Sequence, residues 1–272
     1  MNHKDGDIDI LYKYRDLDEK DEEKMQYVER IFSHNELYFS NILDFNDPFD
    51  CKPHFSSEST DKEFKDYLFS KYHYLKSNIT RQQKRAEIRT LMKDKQLKEN
   101  MARKLEDDYQ IRISKKIGVL CLSAISDNIL MWSHYAGSHS GICIEFEATS
   151  YTEFFGLADK VDYEKDYPVV NIIKDAGYNM AKKVLLTKSK DWKYEKEWRI
   201  INKDAPPGSY KFPSGFLKGV ILGAKIGKNK EKVLSWVKKS KHPIKVYQAK
   251  LKKYEYGLDI KLYNEFNHQA KN

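Results

Sequence analysis

Apolar and polar positions alternate most cleanly over residues 141–147. There Ile142, Ile144 and Phe146 fall on one face and Cys143, Glu145 and Glu147 on the other, the pattern of a strand laid on a core. Shorter runs predict strands at Leu11–Arg15, Leu37–Ser40, Gly118–Leu122, Val220–Leu222 and Ile244–Leu251, and at about 257–263. Helical spacing replaces alternation in residues 18–34, where Met25, Val28, Ile31 and Phe32 lie three or four apart behind an acidic first turn. A second helix is expected at about 230–239. A short one lies between the strands at 118 and 141, capped by Asp127 or Asn128 and ended by Gly137. Residues 60–112 contain neither Gly nor Pro and read as two helices, one through Phe64, Tyr67, Leu68 and Leu75 and one through Ile88, Leu91, Met92, Leu105 and Tyr109. Short strands without a regular alternation of helices predict an α+β fold rather than a doubly wound sheet. The expected organisation is a single domain over 1–272, with a helical insertion at about 60–112.

Composition narrows the class. Nineteen Tyr, 13 Phe and 4 Trp in 272 residues are too many aromatics for a disordered chain. No run approaches the roughly 20 apolar residues that span a bilayer, and the first residues carry no apolar signal segment, so a cytoplasmic protein without a membrane partner is expected. Cys51, Cys121 and Cys143 are odd in number and form no CxxC pair, which points to buried thiols rather than disulfides or a zinc ribbon. His134 and His139 make a poor metal pair, and no metal is expected. The net charge of +8 is concentrated: Lys218–Lys253 holds twelve lysines and one acid, Glu231, a local +11 that suits phosphates of nucleic acid or of a nucleotide.

Four segments combine polar and aromatic residues densely. Tyr12-Lys13-Tyr14-Arg15 ends a first strand on a guanidinium able to grip a phosphate with two hydrogen bonds. Phe45-Asn46-Asp47-Pro48-Phe49-Asp50 reads as a rigid turn, its two Phe expected to anchor it to the core. Ser123 closes an apolar strand, and Trp132, Tyr135 and Ala136 share one helix face, either as core or as a platform for an aromatic ring. Trp192–Ile200, read as one strand, sets Trp192, Tyr194, Trp198 and Ile200 on one face and Glu195, Glu197 and Arg199 on the other.

Taken in order, YKYR, LYFS, FNDPFD, CLSAISDNILMWSHYA, GICIEFE and WKYEKEWRI resemble a bacterial family of unknown function over roughly residues 11–223. That family is in turn similar to ADP-ribosyltransferase-like domains, which split NAD between nicotinamide and ribose. The resemblance implies split antiparallel sheets around a nucleotide cleft. It also implies an order of site residues matched here by Arg15, Ser123 and Glu197, with Glu195 as the first acid of an ExE pair. Ser-Ala-Ile-Ser stands where such domains carry a compact Ser-Thr-Ser, and Tyr38 or Tyr12 fills the aromatic role.

On that resemblance the catalytic set is Glu197, Glu195 and Arg15, and the NAD-binding set is Arg15, Tyr38, Ser123, Trp132, His134 and Tyr135. Glu197 would stabilise the positive charge that develops on the ribose as the nicotinamide bond breaks, a state akin to glycoside cleavage. Glu195 would activate or orient the acceptor, and Arg15 would hold the pyrophosphate or the adenosine ribose. The expected activity is NAD-dependent ADP-ribosyl transfer or NAD hydrolysis, in a toxin or anti-phage setting, with a protein or nucleic acid as acceptor. Two other readings stand beside it: a protein that binds or cleaves nucleic acid through the Lys218–Lys253 stripe, and an interaction module without activity.

Overall fold

The computed structural model describes residues 8–75, 78–202 and 205–263. In chain order the elements begin with β1 (Ile10–Arg15), α1 (Glu22–Ser33), β2 (Glu36–Phe39), β3 (His54–Ser56), α2 (Asp61–Leu75), α3 (Arg81–Leu91) and α4 (Leu97–Ser114). There follow β4 (Gly118–Ser123), α5 (Ile129–Tyr135), β5 (Ile142–Glu147), β6 (Asp159–Lys160), β7 (Asp162–Glu164), β8 (Val169–Asn171), α6 (Gly177–Leu185) and β9 (Thr187–Ser189). The last are β10 (Glu197–Asn202), β11 (Gly208–Lys211), β12 (Leu217–Leu222), α7 (Asn229–Val237), β13 (Lys245–Leu251) and β14 (Leu258–Leu262). The fold is α+β, with an antiparallel-rich sheet. Among the described residues, no helix is long and apolar enough to cross a membrane.

The chain divides into two compact units. The first draws on Met1–Asn41, Ile117–Val161 and Asp191–Asn272, the second on Ile42–Lys116 and Asp162–Lys190. The first unit is built on an eight-stranded sheet of order β14-β13-β12-β5-β1-β4-β10-β6. Every neighbouring pair is antiparallel except β12 and β13. The alternation read in the sequence sets its two faces. Leu11, Ile142, Ile144, Phe146, Val220 and Leu222 bury one face against α1 and α7, where Phe32 stacks on Trp236 with centroids 6.3 Å apart. Tyr14, Cys143, Ile221 and Ala249 bury the other against Met131, Trp132 and Ala136, residues of α5 and its C-terminal end. Asn128 caps α5 through its side-chain oxygen, which accepts from Leu130 and Met131 N–H.

One seam in this sheet is loose. The other neighbouring strands of this sheet pair over two to six residues; β1 and β4 are joined at a single register, Tyr12 opposite Ser123. Beyond that pair the Lys13 ammonium spans to the Cys121 carbonyl at 2.6 Å, a side chain standing in for a ladder bond.

In the second unit, residues 60–112 hold α2, α3 and most of α4, three helices rather than two, because the Thr80 capping box starts a new helix at Arg81. Phe64, Leu68 and Ile88 form their buried centre. Two parallel pairs, β3 with β8 and β7 with β9, complete the unit. The Phe45–Asp50 turn is rigid for another reason than its phenylalanines. Asp47 and Asp50 are the buried members; Asp47 accepts from Phe49 N–H at 2.9 Å, and Asp50 meets the buried Lys188 at 3.6 Å. Phe49 is exposed, edge-on to Tyr167.

Candidate functional site

Cross-strand register assembles the site within the first unit. Ser123 of β4 lies opposite Tyr12 of β1 on one side and opposite Glu197 of β10 on the other. Tyr12, Ser123 and Glu197 therefore form one row across three adjacent strands, on the face that carries α5. On β4 and β10 the next pair along the ladder on this face is Cys121 with Arg199.

The acids are buried. Glu197 and Arg199 form a bidentate ion pair, Nε to Oε1 at 2.8 Å and Nη2 to Oε2 at 2.9 Å, with the arginine 0 % exposed. Such a pair orients both groups. Glu195 accepts from the Tyr135 hydroxyl at 2.5 Å, and its backbone carbonyl accepts from Ser123 Oγ at 2.6 Å. Burial first, then Glu197, push the Cys121 thiol well above its usual range.

The segment ahead of β10 differs from the single strand predicted for Trp192–Ile200. Lys190–Glu195 is a 3-10 helix, and Lys196 takes a left-handed φ of 47° before β10 starts at Glu197. Its carbonyl still accepts from Ala124 N–H at 2.9 Å. This turn carries Glu195 over to Tyr135 and Ser123. The spacing that mimicked alternation is a helix-to-strand junction.

The loop from Ser123 to Asn128 is tied down by aromatic side chains. Tyr14 donates to the Ile125 carbonyl at 2.9 Å, and Trp132 Nε1 donates to the Ser126 carbonyl at 2.7 Å. Trp132 is 0 % exposed and edge-on to Tyr14 at 5.4 Å, so it forms the wall behind the site and has no face free for a ligand ring. The exposed His134, 6.2 Å from the Tyr194 ring, reaches outward instead, while the half-buried Tyr135 turns its hydroxyl in to Glu195. After α5 the backbone turns through three left-handed residues, Gly137, Ser138 and His139, with φ of 53°, 52° and 73°. Only the first is a glycine, so this turn holds local strain. His139 stacks on Trp132, and burial lowers its pKa.

β1 supplies cations. Burial pulls the Lys13 pKa down to about 8, helped by the neighbouring Arg15 and opposed by Glu197 and Glu195. Burial also pulls Arg15 down to about 10. Arg15 Nε is buried without a hydrogen-bond partner, and neither cation is in an ion pair among the described residues. By strand alternation Arg15 and Lys13 project opposite to Tyr12, so Arg15 is beside the loose seam rather than in the row with Ser123 and Glu197. Tyr38 stands apart from this row, on β2 opposite Ser209 and with its ring 5.0 Å from Tyr27 of α1. The residue that sequence reasoning left out is Lys13, visible only once the seam is seen; of the two tyrosines it offered for the aromatic role, Tyr12 is the one that register places in the row.

The lysine-rich stretch is distributed over β12, α7 and β13, and several of its charges are engaged. Lys218 pairs with Glu147, Lys228 with Glu19, Lys239 with Glu29 and Lys252 with Glu255. Among the described residues, no group of three or more His, Cys, Asp or Glu is gathered as a metal site.

Fold and site together define an α+β protein with a buried acid–arginine pair beside a loose sheet seam. Residues 131–200 match the model of a protein family of unknown function, DUF2971. The matched stretch runs from α5 into β10 and so contains His134, Tyr135, Glu195, Glu197 and Arg199, but not Arg15 or Ser123. No curated protein and no solved structure shows significant similarity to the chain.

Proposed function

We propose that the first unit acts on NAD, cleaving the nicotinamide–ribose bond and passing ADP-ribose to water or to an acceptor. The observation that carries this reading is the row Tyr12–Ser123–Glu197 on three adjacent strands, closed by Glu195 and Tyr135. A carboxylate fixed in place by Arg199 can stabilise an oxocarbenium-like ribose without reorganising as charge develops. Glu195, held by Tyr135, is the acid for the acceptor. Arg15 and Lys13 supply positive charge at the seam, suited to the pyrophosphate. Trp132 supports the site from behind, and Tyr135 and His134 take the contacts to nicotinamide and ribose.

Purified protein incubated with NAD is expected to release nicotinamide. Glu197→Gln is expected to lower that rate about 10²–10³-fold per folded molecule, the loss typical of a deleted electrostatic stabiliser. NAD affinity should change little, because the charge acts mainly in the transition state. Activity is read well below the variant's melting temperature, since Gln replaces the buried ion pair with Arg199 by a neutral contact. No nicotinamide from the wild type, with or without nucleic acid or protein acceptors, overturns the reading; so does an unchanged rate per folded Glu197→Gln molecule.

A further inference from the structure

The β13–β14 hairpin forms one end of the eight-stranded sheet. Leu251 and Leu258 are its last paired residues, and Lys252 N–H closes the turn on the Gly257 carbonyl at 3.1 Å. Two tyrosines project from that turn, Tyr254 at 88 % and Tyr256 at 99 % exposure. Full exposure of two large rings leaves their burial energy unused, and on a well-formed hairpin it marks a contact surface. The surrounding charge is one-sided. From Lys245 to Leu262 there are five lysines (245, 250, 252, 253 and 261) against Glu255 and Asp259, a net +3. Lys253 lies over the Tyr254 ring, 5.1 Å from its centre.

The hairpin is also near the site: Leu258, at the base of the turn, is buried in the cluster that holds Tyr14, Met131 and Trp132. Exposed rings on a lysine-rich hairpin fit a polyanion whose bases are unstacked. A duplex keeps its base faces covered, and an apolar protein surface gains nothing from the lysines.

We propose that the β13–β14 tip is a docking element for single-stranded nucleic acid, with Tyr254 and Tyr256 stacking on bases and Lys250 and Lys253 holding phosphates. This binding needs neither NAD nor Glu197, so it goes beyond the catalytic reading and stands or falls separately from it.

The test is fluorescence anisotropy of labelled mixed-sequence single-stranded DNA and RNA, without NAD, at about 50 mM salt and at a higher salt. The wild type is expected to bind. Tyr254→Ala combined with Tyr256→Ala is expected to weaken binding roughly 10-fold or more, with an unchanged melting temperature because both rings are exposed. Tyr254→Phe with Tyr256→Phe should retain binding. Lys250→Ala with Lys253→Ala should lower the salt slope by roughly 1.4, the value for two contacts to a single strand. Absence of binding at about 50 mM salt overturns the proposal. So does full affinity in the double-alanine tyrosine variant, in particular if Lys232→Ala with Lys238→Ala on α7 abolishes binding. Conversion of a dimer to a monomer by the tyrosine variant, with oligonucleotide affinity unchanged, assigns the tip to a second copy and overturns it as well.

Discussion

Strands β1 and β10 flank β4, and they treat charge in opposite ways. On β10 the buried Arg199 and Glu197 neutralise one another through two hydrogen bonds. On β1 the cations Lys13 and Arg15 face no ion-pair partner among the described residues, and both have pKa values pulled down. A buried pair is costly to break, because the partner left behind has lost its water. Lys13 and Arg15 are half-buried, Lys13 donates to the Cys121 carbonyl, and Arg15 Nε has no hydrogen-bond partner. Charge on β10 thus holds the strand pair in shape, while on the reading proposed above the charge on β1 serves the pyrophosphate. The two strands should respond to charge removal with opposite signs.

The largest response is expected from Arg199→Met. It takes the bidentate guanidinium away from the buried Glu197, and denaturant unfolding should show a loss of about 3–5 kcal/mol. A loss below ~1 kcal/mol would mean that the pair does not hold the strand. Next comes the double variant Glu197→Met with Arg199→Met. Replacing both partners removes the orphaned charge, so most of the lost stability should return while nicotinamide release stays absent. Recovery of activity with stability would break the assignment of Glu197. Arg15→Met should shift stability the other way, raising the unfolding free energy by on the order of 1 kcal/mol. Calorimetry should show ADP or NAD binding weakened roughly tenfold. A destabilised Arg15→Met protein would show the guanidinium to be paired after all.

Lys13→Met gives the clearest pH signature. The folded pKa of about 8 is below the ordinary value of 10.5, so the unfolded chain holds the extra proton between the two. Wild-type stability therefore rises with pH across that window relative to Lys13→Met. Below about pH 8 the variant should be the more stable of the two, and its advantage should fade as pH climbs toward 10.5. Melting curves of both proteins at a series of pH values check this; a pH-independent difference would remove the seam as the cause.

Much of this was legible from residue order. The alternation of 141–147 marked β5, and the 3.6-residue spacing of Met25, Val28, Ile31 and Phe32 marked α1. Asn128, one of two residues suited to cap α5, is the one that does so. Strands of two to four residues, such as β3, β6, β7, β8, β9 and β11, passed unseen because so few positions establish no period. Trp192–Ile200 misled for the reverse reason: aromatic and acidic residues at even spacing imitate a pleat, and the left-handed Lys196 that interrupts it has no sequence signature. Glu195, Glu197, Arg199 and Ser123 stood out as chemistry. Their grouping with Tyr12 rests on pairing between residues far apart in the chain, which local pattern does not encode.

That distance in the chain has a consequence for assembly. β1 is synthesised first, but its sheet neighbours β5 and β4 begin at Ile142 and Gly118, and the sheet ends with β14 at Leu258–Leu262. Tyr12 must find Ser123, and Ser123 must find Glu197, across loops that contain the whole of the second unit. Loop closure of that length is entropically costly before any contact forms, and long-range antiparallel pairing is slow. On a ribosome the first strand stays an unpaired edge until more than a hundred further residues have emerged. Lys13 and Arg15 lie on that waiting edge, and like charges on unpaired strand edges repel one another.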